Sequence, residues 1–224
     1  MKRTMVTMVA AVLSLALALP ASAGTGNHLL FPPDAVARGK TLAEWQAAYQ
    51  IWLNEIPTPV NPNHDPLSPL NCALQPRNVV FLGGFGADCT IPAGAAIAFT
   101  PGLGYWECST AEGLGATFSE LRRCARGNFA RDLGADVYHQ RIVIDGHRLR
   151  HQRSWVVITP GEIIDFPTDN IWGAVPGPSK SVTKGFMFVL RPLSEGTHRI
   201  RWFLHHDVFG DFQAVWRLRV VGDD

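Results

Sequence analysis

The sequence predicts a mostly β protein, a jelly-roll-like β-sandwich with an N-terminal helix and one further short helix, and three observations carry that expectation. First, apolar residues recur with a period of two, most cleanly where Ala214, Trp216, Leu218 and Val220 alternate with Val215, Arg217 and Arg219, as a half-buried strand requires. Second, a tight turn that launches a strand recurs at Ile91-Pro92-Ala93-Gly94, Ile158-Thr159-Pro160-Gly161 and Leu193-Ser194-Glu195-Gly196. The repeat is too short for a solenoid or propeller and suits the strand connections of a sandwich or jelly roll. Third, only two stretches join helical spacing of apolar residues to a helix-start signal.

The elements follow in chain order. Lys2 and Arg3, an apolar run from Met5 to Leu19 and the small residues of Pro20-Ala21-Ser22-Ala23 form a cleavable export signal over residues 1–23. A single domain over residues 24–224 follows. The apolar run is short for a bilayer span, so no membrane span is expected once the signal is cleaved. Thr41-Leu42-Ala43-Glu44 is a capping box that starts a helix with Trp45, Tyr49, Trp52 and Ile56 on one face, stopped by Pro57 and Pro59. A Pro/Asn-rich loop runs from Pro57 to Pro69. A second capping box, Thr117-Phe118-Ser119-Glu120, opens a helix with Phe118, Leu121, Ala125 and Phe129 as its apolar side and Gly134 past its end. Strands are expected at residues 78–82, 91–99, 137–144, 154–159, 163–166, 182–190, 198–204 and 214–221. Asp145-Gly146 is a hairpin turn of the kind that needs positive φ.

Removing 23 of 224 residues leaves 201, enough for one domain with a real core, and takes the formal charge from +1 to −1 because Lys2 and Arg3 are lost. A near-neutral chain offers no electrostatic case for nucleic acid or an anionic membrane. Seven tryptophans favour a large sandwich core or an aromatic binding surface. Cys72, Cys89, Cys108 and Cys124 all fall in the exported part, so they are expected as disulfides in a secreted or periplasmic protein. Three pairings are open; Cys72 with Cys89 and Cys108 with Cys124 is favoured because each closes a short loop. A zinc site is disfavoured, since no C-x-x-C pair is present.

The segments Gly39-Lys40-Thr41 through Trp45 and Trp52 to Ile56-Pro57, Asn71-Cys72, Val80-Phe81-Leu82, Cys89-Thr90-Ile91-Pro92-Ala93-Gly94 and Glu107-Cys108-Ser109 resemble a group of secreted bacterial proteins with no established activity. Asp169-Asn170, Gly173, Pro176-Gly177-Pro178, Leu190-Arg191-Pro192-Leu193 and Gly196-Thr197-His198 are similar to the same group. The resemblance spans most of the exported chain and implies an exported globular domain, with no catalytic residue attached.

Several constellations could carry chemistry. His205-His206-Asp207 ends a strand, where residues two apart point the same way, so His205 and Asp207 are the candidate metal ligands. His139, His147 and His151 are the candidates for a third ligand, although neither H-E-x-x-H nor a complete cupin pattern is present. Glu107 stands between Trp106 and Cys108, a setting that would raise its pKa by desolvation. Glu107, His139 and Asp207 are therefore the candidate catalytic set, with Glu162 and Asp165 as further carboxylates. No G-x-S-x-G elbow surrounds Ser109 or Ser154, and Gly83-Gly84-Phe85-Gly86 lacks the order of a phosphate loop. Arg122, Arg123, Arg126 and Arg131 give the second helix a positive, solvated face, which an acidic polysaccharide could use.

The leading expectation is an exported protein that binds a glycan or envelope component through Tyr105, Trp106 and Trp172, whose flat rings suit sugar stacking. The alternative is a carbohydrate-active hydrolase or lyase, metal-assisted or not. Convergence of Glu107, His139 and Asp207 in one cleft would favour the enzyme, and scatter would favour binding. The sequence names no cofactor and leaves the oligomeric state open.

Overall fold

Both capping boxes form. The structure, a computed structural model, describes residues 26–222, so the export signal expected over 1–23 lies outside the described residues. Glu44 N–H donates to Thr41 Oγ1 at 3.3 Å and Thr41 N–H donates to the Glu44 carboxylate at 2.7 Å, which starts α1 (Leu42–Asn54). Thr117 and Glu120 repeat the exchange at 3.3 and 3.0 Å to start α2 (Phe118–Asp132). At fifteen residues α2 is longer than the thirteen-residue α1.

The chain is mostly β, with three sheets packed together and two helices, consistent with a β-sandwich and without itself spelling out jelly-roll connectivity. One sheet orders β1 (Cys72–Gln75), β2 (Val79–Leu82), β4 (Ala96–Phe99) and β11 (Phe188–Leu190). The second orders β5 (Tyr105–Ser109), β10 (Gly177–Phe186) and β8 (Val156–Ile158), with β9 (Glu162–Phe166) also paired to β10. The third orders β3 (Gly86–Pro92), β13 (Gly210–Val221), β12 (Gly196–His206), β6 (Tyr138–Ile144) and β7 (His147–Arg148). Pairing is antiparallel except β2 with β4 and β3 with β13.

Two expected strands break in two. The run 91–99 turns at Gly94, whose φ of 74° an L side chain resists, so β3 joins the five-stranded sheet and β4 another. The run 182–190 divides at Met187, and β10 and β11 likewise serve different sheets. A fully apolar stretch such as Ala96–Phe99 or Phe188–Leu190 is buried on both faces, and burial without alternation does not reveal which sheet a strand joins. Asp145 and Gly146, with φ of 48° and 84°, close the β6–β7 hairpin as their type suggests.

Trp45, Trp202 and Trp216 are fully buried in the main core, together with Phe81, Phe99, Phe186 and Phe188. The indole N–H groups find acceptors, Trp45 on the Ala37 carbonyl at 2.7 Å, Trp216 on that of Gly83 at 3.1 Å and Trp202 on Gln140 Oε1 at 3.1 Å, which is what makes their burial tolerable. Cys72 pairs with Cys89 and Cys108 with Cys124. These disulfides fit an oxidising compartment, and no described helix is long and apolar enough to cross a membrane.

Candidate functional site

β5 alternates its side chains between the two helices. Cys108 is bonded to Cys124 on α2, and Trp106 packs with the guanidinium of Arg131 on α2 at 6.0 Å from its ring. Glu107 faces the other way, toward α1, where Asn54 Nδ2 donates to its Oε2 at 2.5 Å. Ser181 of β10, diagonal to Glu107 in the strand register, bonds Oε1 at 2.8 Å. Glu107 is buried, and desolvation lifts its carboxyl to about 8 despite the two hydrogen bonds that favour ionisation.

Asn54 is the hinge of the arrangement, because its Oδ1 accepts the indole N–H of Trp172 at 2.7 Å. Trp172 sits in the loop between β9 and β10, which the buried side chain of Asn170 shapes. Its Nδ2 donates to the carbonyls of Pro167 and Ala174, and its Oδ1 accepts the amides of Trp172 and Ala174, over 2.8–3.2 Å. The indole is 45% exposed, so its face is available to a ligand although its N–H is spoken for.

The far wall comes from the end of α2 and the β12–β13 turn. His206 donates from Nε2 to the Asp132 carbonyl at 2.8 Å, and its Nδ1 accepts the amides of Val208 and Phe209 at 3.0 and 3.2 Å, a pattern that requires the Nε2 proton. The Asp132 carboxylate is held below its usual range by a two-point contact with Arg131 at 2.6–2.7 Å. Glu112 is raised by burial, with Ser109 Oγ donating to it at 2.8 Å.

These walls enclose a cleft of about 260 Å³ lined by Tyr105, Trp106, Glu107, Glu112, Asp132, Leu133, Trp172, His206 and Phe209, among others. Tyr105, Trp106, Trp172 and Glu107 therefore share one site. His139 and Asp207 do not reach it. His139 lies on β6 opposite His205, their rings stacked at 6.2 Å. Asp207 follows β12 with its side chain half exposed. His205 lies between Asp207 (3.5 Å) and Asp211 (2.7 Å), and the nearer Asp211 is the main reason its pKa is raised. Among the described residues no group of three or more His, Cys, Asp or Glu has the geometry to hold a metal ion. His205 and Asp207 thus lie, with Asp211, in an exposed ion-pair chain at a strand end.

Two features escape sequence reasoning. His206, between the two residues singled out, is the histidine that faces the cleft, because alternation along β12 turns it inward. On α1, Gln46, Gln50 and Asn54 form a fully buried stripe at i, i+4 and i+8, facing Thr100, Glu107 and Ser181 on the sheets through hydrogen bonds from Thr100 to Gln46 and from Asn54 to Glu107. An amide stripe without a single charge beside the aromatic one is the signal that this helix is buried on two sides. Glu162 borders the same seam, raised to about 7 by burial.

No protein-family model matches the chain, and no curated protein matches it. Among solved structures, it is similar to a cysteine protease inhibitor from Entamoeba histolytica at 13% identity and a TM-score of 0.24, with 64% of this chain and 95% of that one covered. It is likewise similar to amebosin at 9% identity and a TM-score of 0.22, with 64% of this chain and 96% of that one covered. Likenesses this distant carry no argument about function.

Proposed function

We propose that the protein binds a glycan of the cell envelope through the cleft, in the periplasm or outside the cell. The observation that carries this reading is the shared position of Trp172, Trp106 and Tyr105 around Glu107. Aromatic faces stack on the apolar face of a sugar ring, while a carboxyl kept protonated at neutral pH both donates and accepts hydrogen bonds, as hydroxyl groups require. At about 260 Å³ the cleft lies just below the usual range of roughly 300–1,000 Å³ for drug-sized ligands, so it suits one ring of a chain. The export-like leader and the two disulfides support the extracytoplasmic setting.

Tryptophan fluorescence titrated with neutral oligosaccharides and soluble peptidoglycan fragments tests this reading. Trp172→Ala is expected to weaken the binding of whichever saccharide titrates by at least about tenfold, ~1.4 kcal/mol. Absence of saturable binding across the panel defeats the reading.

A second reading, a metal-free hydrolase, draws on one further observation: Glu107, protonated at neutral pH, and Asp132, ionised, line the same cleft. Environments that push two carboxyls apart are how acid and base roles are assigned. Release of reducing ends from the bound saccharide, lost in Glu107→Gln while binding persists, would establish it.

A further inference from the structure

We propose that the outer face of the five-stranded sheet docks an acidic polysaccharide through an array of arginines, at a site separate from the cleft. Alternation sorts the side chains of this sheet. Ile142, Ile144, Ile200, Trp202, Trp216 and Leu218 point into the core and are buried. The strand register sets Arg141 on β6, Arg148 on β7, Arg199 and Arg201 on β12, and Arg217 and Arg219 on β13 on the opposite, outward face. Both helices pack against other sheets, so this face is uncovered among the described residues.

Charge is segregated there. The whole sequence nearly balances, with 20 Lys and Arg against 19 Asp and Glu, yet by register the six arginines share their face with three carboxylates, Asp88, Asp145 and Asp211, of which Asp145 is held by His198 at 2.6 Å and by the Arg199 amide at 2.7 Å. Asp88 is engaged by Arg217 at 3.0 Å and Asp211 by His205 at 2.7 Å. Among the described residues no carboxylate pairs with the guanidinium groups of Arg199, Arg201 or Arg219. Arg199 also stands directly across from Arg217, and like charges facing each other across a ladder destabilise a sheet. Asp88 offsets that repulsion only on the Arg217 side, and an anionic ligand would relieve the rest.

The residue type and the shape of the face choose the ligand. Every cation in the array is arginine, whose planar fork grips a carboxylate at two points. Arginines two apart on one strand lie about 7 Å apart and adjacent strands about 4.8 Å, a lattice that suits carboxylates repeated along a chain of uronic acid residues. An open groove of about 610 Å³, lined in part by Arg141, Arg148, His139, His205 and Phe203, continues the face. Duplex DNA fits less well, because its major groove admits a helix or a two-stranded ribbon and not a sheet of five strands. Single strands need exposed aromatic platforms, and Phe203 is already covered by Arg141 at 4.3 Å.

The test is binding to immobilised polygalacturonate. The wild-type chain is expected to bind at low ionic strength and to release as salt rises, and to ignore the fully methyl-esterified polymer. The triple variant Arg199→Gln, Arg201→Gln, Arg219→Gln is expected to bind at least about tenfold more weakly with an unchanged near-ultraviolet dichroism spectrum. The double variant Arg123→Gln, Arg126→Gln on α2 should bind like the wild type, and the neutral oligosaccharides that test the cleft should not displace the polymer, so failure of the cleft reading leaves this one standing. The proposal is overturned if the wild-type chain does not bind, if the methyl ester binds equally, or if the triple variant binds undiminished. Duplex DNA binding as tightly as polygalacturonate overturns it as well.

Discussion

Glu107→Gln is expected to make the protein more stable than the wild type at about pH 9, by several kcal/mol, and to leave it within about 1 kcal/mol of the wild type near pH 4. Burial lifts the folded-state carboxyl of Glu107 from 4.5 to about 8 and that of Glu162 to about 7. An unfolded chain releases both protons near 4.5. Between that value and the folded ones, the native protein holds protons that the unfolded state has lost. The stability linked to each group is therefore fully present below about pH 4.5, falls as pH rises, and is gone above the folded pKa. Glutamine keeps the shape of the protonated acid, and its NH2, in the place of Glu107 Oε1, can donate to Ser181 once that hydroxyl turns to accept, while its carbonyl oxygen, in the place of Glu107 Oε2, accepts from Asn54. The loss linked to Glu107 then disappears, and the part of the decline due to Glu162 ends near pH 7, while Glu112 and the raised histidines His198 and His205 contribute in the same direction in both proteins. Urea denaturation followed from about pH 4 to about pH 9 reads this directly. Parallel curves for variant and wild type would mean that Glu107 titrates normally.

Replacing Cys108 and Cys124 together by alanine is expected to cost about 3 kcal/mol, because the bond closes a loop with a sequence separation of 16. The consequence reaches the cleft. This bond clamps α2 to β5, and the end of α2 supplies Asp132 and Leu133 to the wall opposite Trp172. Saccharide binding should weaken together with stability in that variant. Alanine at Cys72 and Cys89, separated by 17, removes a comparable constraint from β1 and β3, neither of which lines the cleft. That variant should lose similar stability and keep its saccharide affinity. Equal effects of the two replacements on binding would show that α2 does not position the cleft.

Much of this was legible in the residues, where the governing physics is local. A capping box is completed within four residues, and both helices begin at theirs. The alternation of Ala214 to Val221 is a property of one strand, and Asp145-Gly146 selects its turn by its own φ preference. Glu107, next to Trp106 and Cys108, was recognisable as a carboxyl headed for a dry environment, since two of its nearest neighbours in the chain are core formers.

What lies beyond the sequence is whatever depends on a partner distant in the chain. Continuing the alternation of Ile200, Trp202 and Leu204 turns His206 inward, but only the tertiary structure sets its ring against the Asp132 carbonyl, 74 residues away in the chain. Asn54 meets Glu107 across 53 residues and Trp172 across 118. The uncharged amide stripe of α1 signals a second buried side, but only the tertiary structure sets Gln46 against Thr100 and Asn54 against Glu107. The arginines of β6, β12 and β13 are scattered through a chain of nearly neutral charge, and strand pairing alone assembles them into one face. Helix starts, turns and the period of a strand are decided by neighbouring residues and so are written in the sequence. The cleft, the raised carboxyls and the charged face arise from long-range pairing, where burial and register set the chemistry of each side chain and only the tertiary structure supplies them.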